Sequence, residues 1–311
     1  MHRTISSSFR TPALIALFVG TLFLFPLCAF PQAPAADFKA HMVKTPDGVA
    51  VSAQEWGNPG GPEILFIHGF SQSYLSWTKQ TRSELAKTFR IITYDLRGHG
   101  GSDKPLEPAY YKESRRWADE VQAVIDYFQL KKPVLSGWSY AGRIICDYLT
   151  YYPQEKLSGI NFVGATTKSG PNLFGPAAGY LGKMGSEDLT TNIEATINFL
   201  RACTAKPLPQ REFEVMLAFN MICPAKVRAN MGGRPADYEA VLSRLTIPVL
   251  VTHGKQDAAV LVAMGEYTAS IVKGAKASYY DGVGHCTFWE ESARFNSELA
   301  EFVRAAAAGQ R

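Results

Sequence analysis

The sequence predicts an α/β protein: a mostly parallel sheet flanked by helices, with a helical cap inserted late in the chain. Three observations predict it. Short, continuously apolar runs recur along the chain, and patterns with one apolar face at helical spacing lie between them. One long stretch, residues 168–244, keeps the helical character but holds no buried-strand run. Strands that are apolar at every position are buried on both faces, which is the condition of a parallel sheet covered by helices.

The first element in chain order stands outside that fold. Residues 1–11 carry Arg3 and Arg10 and no acid, residues 13–30 run without a charge, and Ala33-Pro34-Ala35-Ala36 offers a small-residue cleavage site. That order reads as a secretory signal peptide over residues 1–35, leaving a mature domain over 36–311 and placing it in the periplasm or outside the cell. The competing reading is an uncleaved membrane anchor, because the apolar run approaches bilayer length. Pro26 and the small residues after it favour cleavage, and with it a mature chain free of the membrane. Lipid attachment at Cys28 is disfavoured by Pro26-Leu27, which lacks the small residue lipoprotein signals place there.

Composition bounds the rest. Of 311 residues, 46% are hydrophobic and 19% charged, enough apolar material for a sizeable core. The net charge is only +4, with Lys and Arg scattered among acids, so nucleic acid is not an expected partner. Beyond the leader lie Cys146, Cys203, Cys223 and Cys286, with no C-x-x-C pair to suggest zinc or thioredoxin-like chemistry. Cys146 follows a strand on a helical pattern and reads as a buried thiol. Cys203 and Cys223 both fall in the cap of an exported protein and are expected to form a disulfide.

Residues 38–44 and 49–56 flank Pro46-Asp47-Gly48 and read as a hairpin. Buried-strand runs follow at 63–68, 90–95, 133–137, 159–163, 248–252 and 277–280. Trp117, Val121, Val124, Ile125 and Phe128 fall on one helical face, as do Ile144, Ile145, Tyr148, Leu149 and Tyr152. In such sheets functional groups collect beyond the carboxyl ends of the strands.

Gly137-Trp138-Ser139-Tyr140-Ala141-Gly142 joins a strand directly to a helix. A serine there sits at the tip of a tight turn, with small neighbours because strand and helix backbones approach closely. The segment resembles the nucleophile elbow of the α/β-hydrolase fold, with Ala141 where the pattern usually has its second glycine. His68-Gly69-Phe70 resembles the family's oxyanion loop, Asp95-Leu-Arg-Gly-His-Gly-Gly-Ser102 its glycine-rich D-x-R-G-x-G-x-S loop, and His253-Gly-Lys-Gln-Asp257 and Gly282-Val-Gly-His285 its acid and base segments.

The resemblance spans residues 68–285 and implies an α/β-hydrolase fold with Ser139 as nucleophile, His285 as base and Asp257 as orienting acid. It implies an oxyanion hole from the backbone N–H groups of Phe70 and Tyr140. His68, Asp95, Arg97 and His99 read as structural. Asp281 is the rival acid, close to His285 in sequence. His253 and Asp257 as metal ligands lack a further His or Cys cluster to complete a site. A serine at the elbow speaks against the branches that use aspartate there, and the closest likeness is to small esterases and cofactor-free haloperoxidase-like enzymes. The implied activity is hydrolysis of a small-molecule carboxylic ester, with no cofactor or metal. Amidase, iminopeptidase, lactonase, thioesterase and perhydrolase activity are the alternatives on the same triad, and a non-catalytic binding protein is the rival of another class. Phe70, Trp138, Tyr140, Phe174 and Tyr180 are candidates for the substrate pocket, with Trp138, like Trp77, also a candidate for the core.

The leader yields a direct test. N-terminal sequencing of protein from the native host should begin near Ala36 or Asp37, and soluble cytoplasmic protein starting at Met1 would refute the reading.

Overall fold

The computed structural model describes His2 and residues 37–309; the apolar run and small-residue stretch of the expected leader lie outside the described residues. Eight strands form one sheet: β1 Phe38–Lys44, β2 Ala50–Gly57, β3 Glu63–Ile67, β4 Arg90–Tyr94, β5 Val134–Trp138, β6 Gly159–Val163, β7 Val249–Gly254 and β8 Lys276–Tyr280. Their spatial order is β1-β2-β4-β3-β5-β6-β7-β8. β1 and β2 pair antiparallel, as does β2 with β4, and every later pairing is parallel. The hairpin thus adds the antiparallel edge, closed where Thr45 N–H donates to the Val49 carbonyl and the N–H of Gly48, at φ 88°, donates to the Thr45 carbonyl.

The central strands β3 to β6 are five residues each, and they are mostly apolar because both faces are covered. β5 and β6 are buried at every position. Helix α1, Ser114–Tyr127, turns Trp117, Val121, Val124 and Ile125 inward, and α2, Ala141–Tyr151, does the same with Ile144, Ile145 and Tyr148. Between β6 and β7 the chain leaves the sheet and builds α3 Leu189–Ala202, α4 Gln210–Met221 and α5 Ala225–Met231. Asp188 caps α3 by accepting from Thr191 N–H at 2.8 Å, while Pro209 and Pro224 open α4 and α5. An antiparallel bridge between Lys168 and Asp237 closes the base of this excursion. After β7, α6 covers Val262–Ile271, and α7, Ser292–Ala308, closes the chain.

The cysteines depart from the expected pairing. Cys146, Cys203, Cys223 and Cys286 are all free and buried. Cys203 meets the thiol of Cys286, not Cys223, which lies beside Arg228. Shared membership of the cap did not bring Cys203 and Cys223 together, because the end of α3 meets the loop after β8 while Cys223, past α4, lies beside Arg228 and Ser71 of the loop after β3. Thiol titration of the mature protein should therefore find these cysteines unreactive when folded and reactive on denaturation. Peptide mapping that recovered a Cys203–Cys223 bridge would contradict the packing.

Candidate active site

Ser139 sits between β5 and α2 at φ 59°, a backbone conformation that costs a non-glycine residue about 1–3 kcal/mol and must be held by its surroundings. The Ser139 N–H donates to the Val163 carbonyl at 2.9 Å, and its carbonyl accepts from Thr166 N–H at 2.9 Å and Gly142 N–H at 3.0 Å. The small residues of the elbow have definite neighbours. A Cβ on Gly137 would stand 2.5 Å from Ile145, and one on Gly142 would stand 2.8 Å from Ala165 and the Thr166 backbone. Ala141 is fully buried and packs its methyl beside Gly137, so the close approach that matters falls at Gly142.

His285 and Asp257 come from the loops after β8 and β7, and Nδ1 of His285 donates to Oδ2 of Asp257 at 2.6 Å. The other carboxylate oxygen accepts from the Ala259 and Val260 N–H groups at 2.8 and 2.9 Å. Nε2 of His253 lies 3.2 Å from Oδ2 and donates to the Val260 carbonyl at 2.8 Å. Burial opposes a charge on Asp257, but the field of His285 and hydrogen bonds from His253 and His285 outweigh it and hold the carboxyl well below its usual range. His253, weighed as a metal ligand from sequence, therefore braces the acid. Asp281, the rival acid, is exposed and pairs with Lys255 at 2.9 Å.

The His285 ring is positioned from two sides. Its backbone carbonyl accepts from the Trp138 indole at 3.0 Å, and its backbone N–H donates to the carbonyl of Cys203 in the cap at 2.8 Å. Nε2 of the ring is buried and makes no hydrogen bond among the described residues. The β6–cap corner joins Ser139 to His285, since Val163 accepts from Ser139 while a Cβ on the next residue, Gly164, would lie 3.1 Å from His285 Nδ1.

The oxyanion loop leans on the nucleophile: a Cβ on Gly69 would lie 3.0 Å from the Ser139 Cβ. Neither the Phe70 nor the Tyr140 N–H is engaged by a hydrogen bond among the described residues. Two buried histidines hold this loop. His68 accepts from Leu96 N–H through Nε2 at 3.0 Å and donates from Nδ1 to the Gly69 carbonyl at 2.8 Å. His99 accepts from Ser71 N–H at 3.1 Å and donates to the Arg97 carbonyl at 2.9 Å. Burial pushes the His68 pKa well below its ordinary value and that of His99 down to about 4, so both rings stay neutral and able to accept. Asp95 closes the neighbouring turn, accepting from Tyr74 and Gly101 N–H groups, and the buried Arg97 pairs with Glu120 and Asp47 at 2.6 and 2.7 Å.

Ser139 opens into a cavity of about 480 Å³. Phe70, Tyr140 and Phe174 line it as expected from sequence; Trp138 and Tyr180 do not. Trp138 is 2% exposed and packs against Phe288, its indole N–H spent on His285, so it belongs to the core. Tyr180 turns into the cap packing, leaving Leu181 and Gly182 at the wall. Phe199, Met231, Val260, Arg143 and Arg228 complete the lining without any sequence motif to mark them. Of these, only Arg143 carried a local signal, its place on the helix that Ser139 opens.

Residues 62–292 match the family described as the alpha/beta hydrolase fold. The chain belongs to that family. Among solved structures, it is 34% identical to an inferred aryl esterase from Burkholderia cenocepacia, with a TM-score of 0.83 over 87% of this chain and 100% of the other. It is 32% identical to the esterase RhEst1 from Rhodococcus sp. ECU1013, with a TM-score of 0.81 over 86% of this chain and 99% of that one. The bifunctional esterase/perhydrolase DCH of Acinetobacter calcoaceticus is 27% identical over 84% of this chain and 99% of its own length. This α/β-hydrolase is a hydrolase by all three likenesses.

The two acids are separable by experiment. Asp257→Asn should lower kcat by about 10⁴-fold, because the imidazole loses the partner that fixes its tautomer. Asp281→Asn, which removes a surface pair, should leave the initial rate on any turned-over ester within about twofold. The reverse pattern would move the acid.

Proposed function

We propose that this α/β-hydrolase cleaves small-molecule carboxylic esters through an acyl-enzyme on Ser139. One observation carries the reading: the Asp257–His285 bond of 2.6 Å leaves the ring's Nε2 without a partner, and Ser139 lines a cavity walled by Phe70 and Tyr140. Nδ1 must carry the proton shared with Asp257, so Nε2 is the acceptor that can take the serine proton. Oγ attacks the ester carbonyl, the carbonyl oxygen gains negative charge, and the Phe70 and Tyr140 amides donate to it. Each such donor contributes about 3 kcal/mol to the barrier reduction in enzymes where one has been removed.

His285 then protonates the departing alcohol. Water attacks the acyl-enzyme with His285 again as base, releasing the acid and restoring the serine. The apolar wall from Phe70, Phe174 and Phe199 suits the organic part of such a substrate and excludes water from the oxyanion. The esterase names of two similar structures agree with this reading. Peroxide in place of water at the second step would release a peracid, and the name of the DCH relative favours testing it. Export after removal of residues 1–35 is proposed on the sequence alone.

Ser139→Ala should keep the circular dichroism spectrum and Tm of the wild type while losing covalent labelling by an organophosphonate. Its turnover of p-nitrophenyl esters should fall by at least about 10³-fold. Wild-type rates in Ser139→Ala would exclude this serine as the nucleophile.

A further inference from the structure

Two arginines and no acid stand among the residues that line the cavity at Ser139. Arg228 is 1% exposed. Its Nη1 donates to Asn192 Oδ1 at 2.8 Å, Thr196 Oγ1 at 3.1 Å and the Met184 carbonyl at 3.3 Å. Nη2 donates to the Asn220 carbonyl, and Nε is buried without any hydrogen bond among the described residues. All these partners are neutral. Cys223, the nearby thiol, cannot supply the missing charge, since burial pushes its pKa up to about 12. Arg143 stacks over the Tyr140 ring and donates from Nη1 to the Arg234 carbonyl, and among the described residues it makes no ion pair either.

The contrast within the molecule is informative. Arg97 and Arg234 are buried too, and each faces a carboxylate: Glu120 and Asp47 for the first, Asp147 for the second. A buried guanidinium without a counterion carries an unrecovered desolvation cost, so folded proteins pair such charges. Arg228 and Arg143 have no such ion pair among the described residues, and both line the cavity onto which Ser139 opens.

We infer that the substrate supplies it: the ester this site hydrolyses carries a carboxylate, which seats against Arg228 with Arg143 as a second donor. The inference rests on the ester-hydrolase reading and narrows it to anionic esters. Nε–H of Arg228 and the unbonded Nε and Nη2 of Arg143 are the donors, and the aromatic wall takes the carbon chain between the carboxylate and the ester.

The test compares isosteric pairs in the wild-type protein, followed by acid release in a pH-stat. Monomethyl adipate and methyl hexanoate differ only in a carboxylate for a methyl group on the acyl side, and 5-acetoxypentanoate and pentyl acetate differ likewise on the alcohol side. At least one anionic ester should exceed its neutral partner by about tenfold or more in kcat/KM, the scale of one charge-assisted hydrogen bond. Arg228→Met should bring that ratio toward one, chiefly by raising KM for the anionic ester, and Arg228→Lys should restore part of it. A loss of cap packing alone would lower both members of a pair together. Where Arg228→Met does not fold, Arg143→Gln provides the second variant, expected to reduce the same ratio. Neutral esters hydrolysed as well as both anionic partners would overturn the inference and leave the ester hydrolase standing. Turnover of none of the four, together with no phosphonate labelling of Ser139, would overturn both.

Discussion

A carboxylate buried out of reach of water is the constraint on which the rest of this molecule depends. The Asp257 side chain has no exposed surface, so its charge persists only while each oxygen is bonded. Oδ1 draws on the Ala259 and Val260 amides and Oδ2 on His285 and His253. These partners come from the end of β7, the loop beyond it and the loop beyond β8. The parallel register that places His253 opposite Tyr279 is therefore what lets one carboxylate reach them all. Close approach is the consequence: a Cβ on Gly254 would lie 2.0 Å from the Gly284 carbonyl.

Burial sets the roles of the histidines as well. His68 and His99 carry no charge because the interior disfavours it, and each then offers Nε2 as an acceptor to a backbone amide of the oxyanion loop and its neighbour. Ser71, at φ 60° with its backbone N–H donating to His99 Nε2, fixes the chain direction just past Phe70. His285 shares the residue type but meets a carboxylate at Nδ1, and no backbone amide among the described residues reaches its Nε2. Three rings of the same kind thus divide into two props and one with an unpartnered Nε2 through their neighbours alone.

The cap is part of this arrangement and not merely a cover. Cys203 at the end of α3 accepts from the His285 amide, and Glu290 bonds both Ala205 in the cap and Gly284 in the base loop. Asn220 of α4 accepts from Ser71 through its carbonyl, so the oxyanion loop also leans on the cap. Arg228 organises the cap interior by tying α3, α4 and Met184 together, and it does so with a charge that no carboxylate pairs among the described residues. One side chain thereby joins the packing of the cap to the charge of the cavity.

All eight strands were legible within a residue or two of their ends, because continuous apolar runs and turn residues are local facts about the chain. The positions of Ser139, Asp257 and His285 at strand ends were legible for the same reason: each sits in a short glycine-bearing turn directly after a strand. What the local pattern could not determine was where side chains go across the molecule. Trp138 ends β5 beside Ser139 like a pocket residue, yet Phe288 and the His285 carbonyl, far along the chain, claim it for the core. Cys203 meets Cys286 and not Cys223, His253 reaches Asp257, and Arg228 reaches the cavity, all through contacts that neighbours in sequence do not specify. The sequence by itself determined the order of strands and helices and the turns that carry the reactive groups. Only the tertiary structure decided which buried charges are paired, because pairing depends on packing between segments that local propensity leaves independent.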